Sequence, residues 1–162
     1  MNEFLSSFLA QLLATVVGAG VGLAGVVGVF RAERRSAAGD AFEQAVERLL
    51  LRVDGLAAAA DHWQKIANRS LYREPGDFPP PHPFPGGVSI ALELVRLKAP
   101  SSEVAMIGRL SEAWDVIAQG TGGELSSACG VFANAIVSWR SGKSLAEIEN
   151  VLSTARTTAI SE

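Results

Sequence analysis

Twenty-seven consecutive residues, Phe4 to Phe30, carry no charge. At 1.5 Å rise per residue they make a helix of about 40 Å, against about 30 Å for the hydrocarbon core of a bilayer. Leu, Val and Phe supply fourteen of them, each favouring insertion by about 0.3 to 0.6 kcal/mol at the helix centre. The run reads as a transmembrane helix over residues 4–30, with length left over for tilt or interfacial ends. A cleaved secretory signal would need a positive N-terminal region and a small-residue cleavage site close behind a shorter apolar core. The chain begins Met1-Asn2-Glu3-Phe4, and its Ser36-Ala37-Ala38 lies beyond a cluster of arginines.

That cluster, Arg31, Arg34 and Arg35 within residues 31–39, sets the orientation. Basic residues flanking a span stay on the cytoplasmic side, and each adds about 1 kcal/mol of attraction to anionic lipid. The expected topology is an N-terminus outside the inner (cytoplasmic) membrane and a C-terminal domain in the cytoplasm. Within the span, Ala10, Ala14, Gly18 and Gly22 recur every fourth residue, and Gly20, Ala24 and Gly28 form a second ridge. Helices in lipid associate by close packing, so the face Ala14, Gly18, Gly22 is the expected site of homo-oligomerisation.

The same glycines imitate a nucleotide site. Gly20-Val21-Gly22-Leu23-Ala24-Gly25 matches G-x-G-x-x-G, but a dinucleotide fold needs an amphipathic helix, a second strand and an acidic residue about 20 positions on. Here the glycines sit inside an unbroken apolar run followed by arginines. Gly142-Lys143-Ser144 resembles the end of a phosphate loop, yet the glycine required five positions before Gly142 is Val137. Gly142 instead suits a helix C-terminus, and Ser144 with Glu147 forms a capping box.

Beyond residue 39 the spacing outside a Pro-rich connector is helical. Over residues 88–99, Val88, Ile90, Leu92 and Leu94 also alternate like a strand, but no partner strand exists elsewhere, so the expectation is an all-α chain. Asp40 and Glu43 read as a capping box opening a long amphipathic helix over 40–72. Its seam is Phe42, Val46, Leu49, Val53, Leu56, Ala60, Trp63 and Ala67, widened by Leu50, Leu51 and Ile66. Packing within a bundle is favoured over a two-stranded coiled coil, because the flanks lack regular opposite charges. Residues 73–87 form a Pro-rich connector, in which Pro80 and Pro83 fit a PxxP pattern and Phe78 and Phe84 are expected to pack on the domain. A small antiparallel helical bundle is predicted over 88–160. Its first helix runs to Ala99 with Ile90, Leu94 and Leu97 as one face. The second is capped by Ser101 or Ser102, with Val104, Ile107, Leu110, Trp114 and Ile117 inward. Two further seams follow: Leu125, Cys129, Phe132, Ile136, Trp139, and Leu145, Ile148, Leu152, Ala155, Ala159.

Chemistry is sparse. Nucleophilic catalysis needs a Ser, Cys or Thr beside a base held by a third group, and the two histidines, His62 and His82, have no such partners. Cys129 falls on an apolar seam with no neighbouring cation to activate it. A lone cysteine also fits a reducing compartment. No clustered ligands suggest a metal or another cofactor. A formal net charge of −3 gives none of the basic excess that nucleic-acid binding requires. Eleven Arg against three Lys, with abundant Ala and Gly, suit a GC-rich bacterial or phage genome. The expected function is that of a non-catalytic, single-pass membrane-anchored interaction or scaffold protein. Its partners would be the lipid bilayer, copies of itself and a further protein. The alternative is a phage-type membrane-active protein, either a holin-like permeabiliser or an envelope exclusion factor.

Overall fold

The computed structural model describes the backbone of residues 2–70 and 82–160, and the side chains of Glu33, 36–69 and 82–160. The described residues form five α-helices and no strand: α1 (Asn2–Ser70), α2 (Gly86–Lys98), α3 (Val104–Ile117), α4 (Gly122–Arg140) and α5 (Leu145–Ile160). The chain is all-α. It divides into two compact units, residues 1–41 and 42–162. Among the described residues no helix is long and apolar enough to cross a membrane. The candidate span, residues 4–30, lies outside the residues whose side chains are described, although its backbone belongs to α1.

In the second unit one continuous core is drawn from all five helices. Phe42, Val46, Leu49, Val53, Leu56 and Ala60 are buried, so most of the α1 seam packs inside the chain's own bundle. Trp63 and Ala67 are only partly covered. The largest fully buried side chains include Trp114, Phe132, Leu49, Ile107 and Leu110. The Trp114 and Phe132 rings meet at 5.3 Å, and the Trp114 indole N–H donates to Ser89 Oγ at 3.1 Å. The second buried indole, Trp139, donates to Glu103 Oε2 at 2.8 Å and meets the edge of Phe42 at 6.0 Å. Above this pair lies the Arg140 guanidinium, 5.1 Å from the Phe42 ring and 5.3 Å from Trp139, with Glu43 as its carboxylate partner.

The helix ends show how local chemistry sets the chain path. At the end of α4, Lys143 N–H donates to Ser138 O at 3.1 Å and Gly142 N–H to Trp139 O at 3.0 Å. This paired pattern is a Schellman motif, and Gly142 at φ +77° is the left-handed residue it requires. The predicted capping box follows at once: Ser144 N–H donates to Glu147 Oε2 at 2.9 Å, and Glu147 N–H to Ser144 Oγ at 3.4 Å. At the start of α4, Gly122 has φ +52°, and an added Cβ would collide with the Gln64 side-chain amide. Gln64 Oε1 in turn accepts the Gly123 N–H at 3.3 Å, so α1 caps α4.

Several expectations are corrected. Asp40 and Glu43 do not open a helix, because α1 runs through them. No proline interrupts residues 31–40, and the roughly 1 kcal/mol cost of Gly39 does not stop a helix of good formers. Neither Ser101 nor Ser102 caps α3. Glu103 occupies that position without a side-chain cap, its backbone N–H turned to Pro100 O at 2.9 Å and its carboxylate to Trp139. Val104 and Leu145, each at the first residue of its helix, are exposed, where the packed neighbours do not reach. Phe84 is exposed rather than packed on the core and folds back over Gly86. Residues 71–81, including Phe78 and Pro80, lie outside the described residues.

Candidate functional site

Side chains able to do chemistry are scattered or sealed among the described residues. Among the described residues no group of three or more His, Cys, Asp or Glu could hold a metal ion. His62 is exposed. His82 lies edge-on against Trp63 at 4.8 Å, its Nδ1 within 3.1 Å of Pro83 O. Cys129 is fully buried, and loss of solvent pushes its thiol up from 9.0 to about 12. A thiol held neutral in this way is a poor nucleophile.

The Cys129 shift has a testable sign. Folded and unfolded thiols are both neutral below pH 9, whereas between pH 9 and about 12 only the unfolded thiol ionises. Stability from this group is therefore complete below pH 9 and declines as pH rises through that window. In alkaline denaturation the wild type should lose stability relative to Cys129→Ala above pH 9. A difference that stays constant to pH 11 would contradict the burial.

Two carboxylates on α5 titrate in the opposite sense. Hydrogen bonds from Ser144 lower the pKa of Glu147. The Arg156 hydrogen bond, with Arg109 contributing, lowers that of Glu149. Glu149 thereby ties α5 to Arg109 of α3 at 3.3 Å. Their contributions are present above the ordinary carboxylate pKa of 4.5 and vanish as pH falls through the lowered values. Protonating them should loosen the start of α5 and its tie to α3. Hydrogen exchange followed as pH is lowered should show amides of residues 145–160 losing protection before those of α4.

Among the described residues the second unit carries an open groove between α1 and α2. Two adjoining depressions, one of about 700 Å³ and one of about 370 Å³, share Leu51, Arg52 and Gly87. Its walls are Leu51, Ile90, Leu94 and Phe84, exposed by 65, 66, 45 and 83% respectively. Leu56, Val88 and Ala91 line it as buried residues and Gly55, Ala59 and Gly87 as exposed small ones, and the only charges among these lining residues are Arg48 and Arg52. None of the ion pairs among the described residues engages either arginine.

The groove exists because α2 is apolar on two sides. Val88, Ala91, Leu92 and Val95 face the core, while Ile90, Leu94 and Leu97, at i, i+4 and i+7, face out. The helical face read from the spacing, Ile90, Leu94 and Leu97, is thus the exposed one. Rotation by either stripe satisfies the helical period, and the core took Val88, Ala91, Leu92 and Val95. Leu51 likewise points away from the core it was expected to widen. The sequence did carry a signal: a thirteen-residue helix whose polar positions are only Ser89, Glu93, Arg96 and Lys98 is apolar nearly all round, and such a helix needs cover on more than one side.

Gly55 lines this groove on α1, and an added Cβ there meets nothing within 4 Å. Gly55→Ala should therefore raise stability by about 0.5 to 1 kcal/mol through helix propensity alone. Urea denaturation measures it, and a loss of stability would mean that the groove is closed.

The sequence-derived site residues fall elsewhere. Ala14, Gly18 and Gly22 of the packing ridge, and Arg31, Arg34 and Arg35 of the basic flank, lie outside the residues whose side chains are described. Comparison with protein-family models, with curated proteins and with solved structures gives no match.

Proposed function

We propose that the chain is a single-pass membrane-anchored docking module. Residues 4–30 form the span, Arg31, Arg34 and Arg35 hold the following segment at the inner leaflet, and the helical unit from residue 42 offers a binding surface in the cytoplasm. The observation that carries the reading is the uncharged run Phe4–Phe30, long enough for a bilayer and far richer in Leu and Val than a solvated helix tolerates. Support for docking rather than catalysis comes from the sealed thiol and the open apolar groove.

Carbonate extraction of membranes tests the anchor. The full chain should stay in the pellet, and Val16→Arg with Val17→Arg should release it. A C-terminal reporter active only outside the cell would overturn the orientation. Assembly through Ala14, Gly18 and Gly22 predicts that Gly18→Leu with Gly22→Leu reduces oligomer size in detergent. Expression that collapses the membrane potential would favour the permeabiliser reading instead.

A further inference from the structure

We infer that the α1–α2 groove is the seat of an acidic amphipathic helix from a partner protein, bound by its apolar face with carboxylates reaching Arg48 and Arg52. The inference rests on the docking half of the function proposed above and is independent of the anchor. Three observations converge on this occupant. The first is shape. From Arg48 to Ala59 the groove follows α1 for three turns, about 17 Å, which is the length over which a helix in a groove sets its i, i+3, i+4 and i+7 anchors. The small residues Gly55, Ala59, Gly87 and Ala91 in its lining let a partner backbone come close between the larger Leu51, Ile90, Leu94 and Phe84.

The second is apolar supply. Leu51, Phe84, Ile90, Leu94 and, one turn on, Leu97 account for five of the nine exposed large apolar side chains among the described residues. Concentrated on one trough and its rim, they mark a binding surface rather than the scattered exposure normal for a protein. The third is charge. The chain as a whole is acidic, at −3, yet this groove is lined by two arginines and no carboxylate. Glu93, the one acid on α2, is already joined to Arg96 at 3.5 Å. Arg48 and Arg52 stand one turn apart on α1, so two partner carboxylates at i and i+4 would meet both. A flat bilayer cannot follow a trough between two helices, and a second copy of this acidic domain would bring its own arginines to the same place.

The test uses the full chain in neutral detergent. The probes are fluorescent peptides of about 16 residues, long enough to lay four turns in the groove. One carries Leu at helical i, i+3, i+4 and i+7 spacing with flanking Glu, and its counterpart has Lys for every Glu. The Glu peptide should bind at least about ten-fold more tightly than the Lys peptide, with an affinity that falls as salt rises. Arg48→Glu with Arg52→Glu should reverse the preference. Gly55→Leu, which fills the groove from a position with open space around its Cβ, should reduce binding about ten-fold or more while leaving the unfolding midpoint unchanged or raised.

Equal binding of the two peptides, or indifference to both variants, would overturn the inference. So would a Leu97→Cys fluorophore that responds to nanodiscs containing phosphatidylglycerol but not to the Glu peptide, since the groove would then face lipid. Self-association abolished by Ile90→Glu would assign the face to a second copy and overturn it too. If carbonate releases the full chain from membranes, the anchor fails, and the same titration in buffer still decides the groove.

Discussion

Trp114→Ala is expected to lower the unfolding free energy by about 3 to 5 kcal/mol, a large part of the roughly 5 to 15 kcal/mol that holds a domain together. Trp114 is 1% exposed, stacks at a tilt on Phe132 from α4, and reaches Ser89 on α2. One side chain thus joins three helices. Alanine leaves a void the size of an indole at a point where no single element can collapse to fill it. Ser89→Ala, which removes only the acceptor for the indole N–H, should cost about 1 kcal/mol. Urea unfolding of the full chain in neutral detergent, followed by circular dichroism, separates the two. A loss below 1 kcal/mol from Trp114→Ala would remove that ring from the core.

The second large effect is a contrast between neighbours. Leu49→Ala should cost about 2 to 5 kcal/mol, whereas Leu51→Ala should lie within about 0.5 kcal/mol of wild type. The two leucines stand two positions apart on α1 and therefore on different faces. Leu49 is fully buried, and Leu51 is 65% exposed at the mouth of the groove. The docking assay inverts the order of their effects: Leu51→Ala should weaken the Glu peptide severalfold, while any residual folded Leu49→Ala should bind it normally. Equal destabilisation by the two changes would place Leu51 in the core and close the groove.

This contrast also marks where sequence pattern stops being informative. The seams of α4 and most of α1 and α5 were legible because each of those helices has one broad apolar stripe, and burial of any other side would leave leucines in water. Gly142, Ser144 and Glu147 were legible for a different reason, since a Schellman motif and a capping box satisfy their hydrogen bonds locally. On α2 two stripes compete, Val88, Ala91, Leu92, Val95 and Ile90, Leu94, Leu97, and the choice depends on what α1 and α3 present. That information is tertiary. The start of α3 failed similarly: the serines before it are sound caps in isolation, but Glu103 is drawn to the buried Trp139 indole from 36 residues away. The groove was hidden by the same competition, because its walls are the residues that a helical pattern assigns to a core.

The caps of α4 and α5 bear on the order in which the molecule assembles. Closing α4 on α5 spans only a few residues, so that step costs little chain entropy, and the turn carries its own hydrogen bonds. Joining α1 to α4 is different: Gln64 meets Gly123 across 59 positions, and Glu43 meets Arg140 across 97. The C-terminal hairpin closes with local chain alone, while the α1 seam is satisfied only when distant chain arrives. During synthesis the order of emergence is the reverse. Leu49, Val53 and Leu56 leave the ribosome well before Phe132 or Leu152 exist, and translation supplies about 5 to 20 residues per second. For several seconds the nascent chain thus presents an apolar helix whose core partners do not yet exist.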